Sequence, residues 1–340
     1  MPTPSNASHS QEAFVSRILV TGGAGFIGSH YVRHLLDADD VEQITVLDAL
    51  TYAGHAENLG SALLSPRVRL VVGSILDIEL VSGLVENHDQ IVHLAAESHV
   101  DHSLRDAGRF VGTNVSGTQV LLDAARHRGV DRFVHVSTDE VYGPLQTGAA
   151  SEDAPLAPTV PYAASKAAAD LLALSYHRTY GVPVCVTRSS NNFGPRQHPE
   201  KIIPAHITRL IRGEKVVLHG DGRHVRNWLH VADNCAGLEL VRRAGTPGQV
   251  YNLGGGTDLT NAELTKLLLE AFGVGWDRVQ RTPDRQCNDR RYAMSIDKAA
   301  ALGYRPRRDI REGLAETIVW YQQRPDRWAP MLAGARTVVA

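Results

Sequence analysis

Arg17-Ile18-Leu19-Val20-Thr21-Gly22-Gly23-Ala24-Gly25-Phe26-Ile27-Gly28 is the stretch whose reading settles the fold. A short apolar run stops at a glycine cluster, and from Phe26 to Leu36 apolar residues recur at helical spacing, so the segment reads as strand, tight turn, helix. Gly22, Gly25 and Gly28 stand where a Cβ would obstruct a ligand approaching backbone amides at the positive end of that helix, an arrangement suited to a pyrophosphate. Three glycines alone also fit an ordinary turn; the strand before them and the helix after them give the dinucleotide reading. Asp48 strengthens it. It closes the next apolar run, Gln43-Ile44-Thr45-Val46-Leu47-Asp48, about 20 residues after Gly28, where a carboxylate accepts hydrogen bonds from an adenosine ribose and repels a 2′-phosphate. NAD is therefore expected rather than NADP.

The same rhythm continues with strand-like runs at Val68 to Val72, Gln90 to Leu94 and Arg132 to Ser137, separated by helix-length segments. Alternating strands and helices predict an α/β fold with a doubly wound parallel sheet. From about Pro195 the pattern is less regular, with turns such as Gly220-Asp221-Gly222 and Gly254-Gly255-Gly256. The expected organisation is a polar, disordered tail over 1–16, a dinucleotide-binding domain over 17–194 to which later segments return, and a smaller C-terminal lobe, mainly 195–330, closing over the carboxyl edge of the sheet.

Composition removes several alternatives. The chain of 340 residues is 43% hydrophobic and 21% charged, enough to bury a sizeable core. Lys+Arg 35 against Asp+Glu 37 gives a net charge of -2, so no nucleic-acid or anionic-membrane partner is expected from a long-range field. No apolar run reaches the ~18 residues of a spanning helix. Cys185, Cys235 and Cys287 have no CxxC spacing, which argues against a disulfide scaffold or zinc ribbon and fits a reducing cytoplasm. His99, Asp101 and His102 cluster in sequence but supply no recognisable tetrahedral ligand set, so no metal is expected.

Tyr162 and Lys166 stand four apart in an Ala-rich helical stretch, which puts both on one face. A free tyrosine ionises near ~10; a neighbouring ammonium and a positive nicotinamide would both stabilise the phenolate and make Tyr162 a general base for an alcohol.

Together with Ser137-Thr138-Asp139 at a strand end, these features resemble the extended short-chain dehydrogenase/reductases, whose sheet is of the Rossmann type. Within them, Ser137-Thr138-Asp139-Glu140-Val141-Tyr142-Gly143 resembles the nucleotide-sugar 4,6-dehydratases, the dTDP-glucose enzymes in particular. The resemblance runs from about Arg17 to Trp320 and includes Ala95-Ala96-Glu97-Ser98-His99-Val100-Asp101, Ser190-Asn191-Asn192-Phe193-Gly194-Pro195, Pro199-Glu200-Lys201-Ile202-Ile203-Pro204, Val225-Arg226-Asn227-Trp228 and Asp284 to Tyr292. It implies oxidation of a nucleotide-linked glucose at C4, loss of water from C5 and C6, and hydride return to C6. Ketone formation acidifies the C5 proton, so elimination needs a base at C5 and an acid at the C6 hydroxyl. Two close carboxyls push their titrations apart and can divide those tasks. By resemblance Glu140 is the base, Asp139 the acid, and Thr138 a hydrogen-bond partner of the C4 hydroxyl.

The resemblance further implies cofactor contacts at Phe26, Ile27, Thr51, Ser74, Ile75, Ala95, Ala96, Ser98 and Thr113, and substrate contacts at Ser98, Asn192, Lys201, Ile202, Arg226, Asn261, Asp289 and Tyr292. Guanidinium forks match phosphate oxygens, which suits Arg226 to a diphosphate. The chain departs from the family pattern at Ser74, commonly an aspartate, at Asn288, commonly a histidine, and at Phe193, His219 and His102, commonly Tyr, Tyr and Arg. An epimerase or decarboxylase of the same fold would need Tyr162, Lys166 and NAD but not the Asp139-Glu140 pair; a non-catalytic sensor would need neither Tyr162 nor Lys166. Leu171-Leu172-Ala173-Leu174 carries more apolar surface than one sheet face requires, so a helix-mediated homodimer is expected.

Overall fold

The structure is a computed structural model that describes residues 15–284 and 287–335. Most of the expected tail, and the Arg285-Gln286 part of the Asp284 to Tyr292 stretch, lie outside those residues. Ser16, assigned to the tail by sequence, opens the first strand.

The strands are β1 Ser16–Thr21, β2 Val41–Asp48, β3 Val68–Val72, β4 Gln90–His93, β5 Arg132–Thr138, β6 Val184–Ser189, β7 Asn191–Phe193, β8 Val216–His219, β9 Val225–His230, β10 Val250–Leu253, β11 Thr257–Thr260 and β12 Val279–Thr282. The α-helices are α1 Phe26–Leu36, α2 Ala56–Leu59, α3 Ile78–Val85, α4 Val100–Arg105, α5 Ala107–Phe110, α6 Gly117–Arg128, α7 Pro161–Tyr180, α8 Ile202–Ile211, α9 Val231–Ala244, α10 Asn261–Ala271, α11 Asp297–Ala301, α12 Ile310–Gln323 and α13 Pro325–Ala335.

Seven strands form one parallel sheet in the order β3-β2-β1-β4-β5-β6-β10. Alternate residues of β1 feed opposite cores, which is why the run is apolar throughout. Ile18 and Val20 pack with Tyr31, Val32 and Leu35 of α1 and with Leu238 of α9. Leu19 packs with Val81 of α3, Leu121 of α6 and Ala173 of α7. Doubly wound layers thus follow from a strand too apolar to face water on either side. After β3 the chain crosses to β4 on the far side of β1, so the crevice for a ligand opens at the carboxyl ends of β1 and β4.

Beyond Phe193 most of the chain builds a second core, with Ile203 and Ile207 of α8, Trp228, Leu264 and Leu268 of α10, and Leu314 and Tyr321 of α12. Short sheets β11-β9-β7 and β12-β8 accompany it, while β10 returns to the main sheet beside β6. The apolar surplus expected on α7 is smaller than its sequence suggests. Ala173 and Leu174 are buried in the core and Leu172 packs against it; within that run Leu171 is the large side chain left exposed.

Candidate active site

Gly22 leaves β1 at φ +71°, and a Cβ there would stand 2.5 Å from the Ala95 amide nitrogen just past β4. A Cβ on Gly28 would lie 2.2 Å from the Gly22 carbonyl oxygen. Gly25 caps α1 without a side-chain hydrogen bond, so no side-chain oxygen covers the first amides of the helix. At the end of β2, Asp48 accepts the Ala24 amide on one carboxylate oxygen and the Leu50 amide on the other, both at 2.9 Å, which aims the group into the crevice. This glycine cradle, open helix end and fixed carboxylate fit a dinucleotide with a free ribose 2′-hydroxyl.

The crevice is a cleft of about 450 Å³, within the usual range for small-ligand sites. Gly22, Gly25, Phe26, Ile27, Gly28, Asp48, Thr51, Ser74, Ile75, Ala95, Ala96, Ser98 and Thr113 line it from the sheet side, with Thr138, Asp139, Glu140, Asn192 and Lys201 farther along. Tyr162 and Lys166 are buried behind this wall, 9% and 4% exposed. Ile202 opens α8 immediately after Lys201. Arg226, Asp289 and Tyr292 form a neighbouring group outside the cleft lining. The Arg226 guanidinium lies over the Tyr292 ring at 4.6 Å and donates to Asn288, and the Tyr292 hydroxyl donates to Asp289 at 2.6 Å. Asn261 sits at the start of α10, its amide bonded to the His224 carbonyl, and is not brought to the cleft.

β5 ends at Thr138, and the tight turn Asp139–Tyr142 that follows leaves both carboxyls at the sheet edge. Gly143 then turns the chain at φ +73°, where a Cβ would meet the Ala157 carbonyl at 2.1 Å. A buried polar web holds this turn. Tyr142 donates to Asn252 of β10 at 2.7 Å, Arg188 of β6 donates to the Tyr142 hydroxyl at 2.9 Å and to Asp170 of α7 at 2.9 Å, and Asn252 in turn bonds the Ala150 and Ser295 carbonyls. On the other flank Asn114 exchanges hydrogen bonds with the backbone of Glu97 and donates to Ser165 at 2.8 Å, tying the segment after β4 to α7.

Burial, with Glu140 as neighbour, pushes the Asp139 carboxyl up to about 7, and Thr138 donates to it at 3.3 Å. Burial also raises Glu140, against the pull of Arg226 and Lys201. Lys166 donates to the Val136 carbonyl at 2.7 Å, and burial lowers its ammonium to about 8 despite Asp170 nearby. Tyr162 is raised as well. Burial first and the Glu140 carboxylate second drive its phenol up, and the Thr138 hydroxyl only partly opposes them. Lys166 donates to the β5 backbone, so the phenolate expected at Tyr162 relies on a positive nicotinamide as well as on Lys166.

Sequence reasoning passed over Glu97, Arg109, Gln197, His198 and Glu200, all of which line the cleft. Glu97 accepts Arg109 at 2.8 Å, a pairing between a loop and a later helix that no local pattern announces.

A parallel sheet with a glycine cradle at its switch point, a Tyr-Lys helix behind it and a raised carboxyl pair beside it define an extended short-chain dehydrogenase/reductase. The family model described as GDP-mannose 4,6 dehydratase matches residues 19–317. A dTDP-glucose 4,6-dehydratase of Streptomyces antibioticus is 58% identical over 320 residues, 92% of this chain and 95% of that protein. Another, from an Actinoplanes species, is 53% identical over 318 residues, 92% and 99% of the two chains. DesIV, a dTDP-glucose 4,6-dehydratase of Streptomyces venezuelae solved with NAD and TYD bound, superposes with a TM-score of 0.90 at 49% identity, covering 93% of this chain and 99% of DesIV. The chain belongs to the family this model describes and, within it, to the dTDP-glucose 4,6-dehydratases.

Proposed function

We propose that this protein dehydrates dTDP-glucose to the 4-keto-6-deoxy sugar with NAD as a tightly held cofactor. The observation that carries the reading is the Asp139 carboxyl raised to about 7 beside Glu140, at the strand end next to Tyr162. When bound, NAD supplies the hydride chemistry, out from C4 and back to C6, and is unchanged by a turnover. Tyr162 would accept the proton of the C4 hydroxyl, oriented by Thr138, in the added field of a positive nicotinamide that Lys166 alone does not provide. Glu140 would then remove the C5 proton, and Asp139, about half protonated at neutral pH, would deliver its proton to the departing C6 hydroxyl. Arg226, Lys201 and Asn192 would hold the diphosphate, with Ser98, Ile202, Asn261, Asp289 and Tyr292 around the nucleotide sugar.

Relatives named for the same reaction and the DesIV likeness support the substrate. Incubation with dTDP-glucose and, separately, UDP-glucose tests it by the alkali-induced absorbance of a 4-keto-6-deoxy sugar and loss of one water by mass. Product from dTDP-glucose that disappears in Glu140→Gln is expected. Cofactor-bound protein that dehydrates neither sugar refutes the reading and moves epimerisation ahead.

A homodimer is part of the proposal, supported by Leu171 at 60% and Val111 at 52% exposure near the α6–α7 face. Light scattering should report a dimer that Leu171→Asp weakens. Among the described residues no helix is long and apolar enough to cross a membrane. The three cysteines are free, two of them buried, which supports a cytoplasmic home.

A further inference from the structure

Among the described residues one set of histidine and carboxylate donors converges: the ligand atoms of His99, His102 and Glu200 lie within 4.8 Å of one another. His99 and His102 are three apart at the start of α4, and their imidazoles stack with centroids 4.3 Å apart and 28° between planes, which keeps the two rings side by side. Glu200 arrives from the loop before α8. His99 Nε2 is 3.4 Å from Glu200 Oε2, and His198 Nδ1 is 3.6 Å from the same oxygen. Donors bound at about 2.0–2.1 Å to a tetrahedral zinc ion stand roughly 3.4 Å apart, so the His99–Glu200 pair already has ligand spacing.

The carboxylate is also held from behind. Tyr52 donates to Glu200 Oε1 at 3.3 Å, leaving Oε2 for the histidines, and its ring packs edge-on against His102 and His198 at 5.3 and 5.4 Å. An outer hydrogen bond of this kind orients a carboxylate ligand.

We propose that His99, His102 and Glu200, with water in the fourth position, form a site for a divalent transition ion of the zinc class. Imidazoles with a single carboxylate suit zinc; magnesium and calcium prefer all-oxygen sets. The ion would act as a clamp. Ser98 immediately precedes one ligand and Lys201 immediately follows another, and Lys201 already donates to the Ser98 carbonyl at 3.1 Å across the cleft. A metal beside that bond fastens the loop before α8 to the segment after β4, at the mouth of the dinucleotide cleft. The inference goes beyond the dehydratase reading and does not rest on it, because binding is read without turnover.

The test is titration of cobalt(II) chloride into the full chain, stripped with chelator and loaded with NAD, followed by visible absorbance. Expected are d–d bands of a four-coordinate ion at one equivalent, their displacement by zinc, and a zinc-induced rise in melting temperature. His102→Ala and Glu200→Gln should each weaken cobalt by at least about tenfold, and Tyr52→Phe, which keeps every ligand, by about tenfold to a hundredfold. His127→Ala, at an exposed position on α6, should leave binding unchanged. Absence of visible bands, equal affinity in His102→Ala, loss of binding in His127→Ala, or a thiolate charge-transfer band pointing to a cysteine would each overturn the site and leave the His99–Glu200 contact as a plain ion pair.

Discussion

Replacing Asp139 by Asn should make the protein more stable and nearly inactive, and the size of the first effect should depend on pH in a defined direction. Burial moves this carboxyl from an ordinary 3.8 to about 7. That displacement corresponds to about 4 kcal/mol that folding loses when the group must be ionised. The folded state binds the proton more tightly than the unfolded chain. Below the unfolded value of 3.8 both states are protonated, and the wild type and the Asp139→Asn variant should be equally stable. As pH rises from there through about 7, wild type loses stability progressively while Asp139→Asn does not, so the difference grows from nothing near pH 4 to about 4 kcal/mol above pH 8. With unfolding entropy near ~2.1 cal/mol/K per residue over a chain of 340 residues, this is about 6 °C in melting temperature. The assay is differential scanning calorimetry of both proteins at saturating NAD from pH 5 to 8.5, alongside turnover of dTDP-glucose. Turnover should fall by about 10² to 10⁴ if the group supplies the C6 proton. A stability difference flat across this range would refute the argument, because it would mean that Asp139 titrates as a solvated carboxyl.

Tyr162→Phe should leave NAD binding within about threefold of wild type and lower turnover by about 10² to 10⁴, as measured by fluorescence titration and by keto-sugar formation; equal losses in binding and rate would contradict a base role. Gly22→Ala should weaken NAD at least about tenfold and lower the melting temperature, since a left-handed Cβ costs roughly 1–2 kcal/mol before the contact with Ala95 is counted; calorimetric titration checks it. Arg188→Met should cost about 3–5 kcal/mol in urea unfolding, because it strands the fully buried Asp170 without its cation and frees the Tyr142 turn.

Much of the sheet was legible because its signals are local. Strands β1, β3, β4 and β5 and helix α1 appear within a residue or so of where apolar runs and glycine turns place them; β2 begins two residues before Gln43, at Val41, where pairing to Ser16 extends the ladder. Lobe contacts carry no local signal of where they fall. Arg226 and Tyr292 face each other and Asn288 at the margin of the cleft, and Asn261 is engaged at a helix start, because their positions depend on how two short sheets and α10 pack.

From the sequence alone came the strand-turn-helix cradle, the Asp48 selector, the Tyr162-Lys166 face and the Thr138-Asp139-Glu140 strand end, since each is written in neighbouring residues through backbone preference and period. Only the tertiary structure decided that Asp139 and Tyr162 are raised, that Arg188, Asp170, Tyr142 and Asn252 brace the turn, and that Glu200 meets His99 and His198. Desolvation and cross-chain contact are sums over everything that packs around a group, and residues a hundred positions away contribute as much as neighbours.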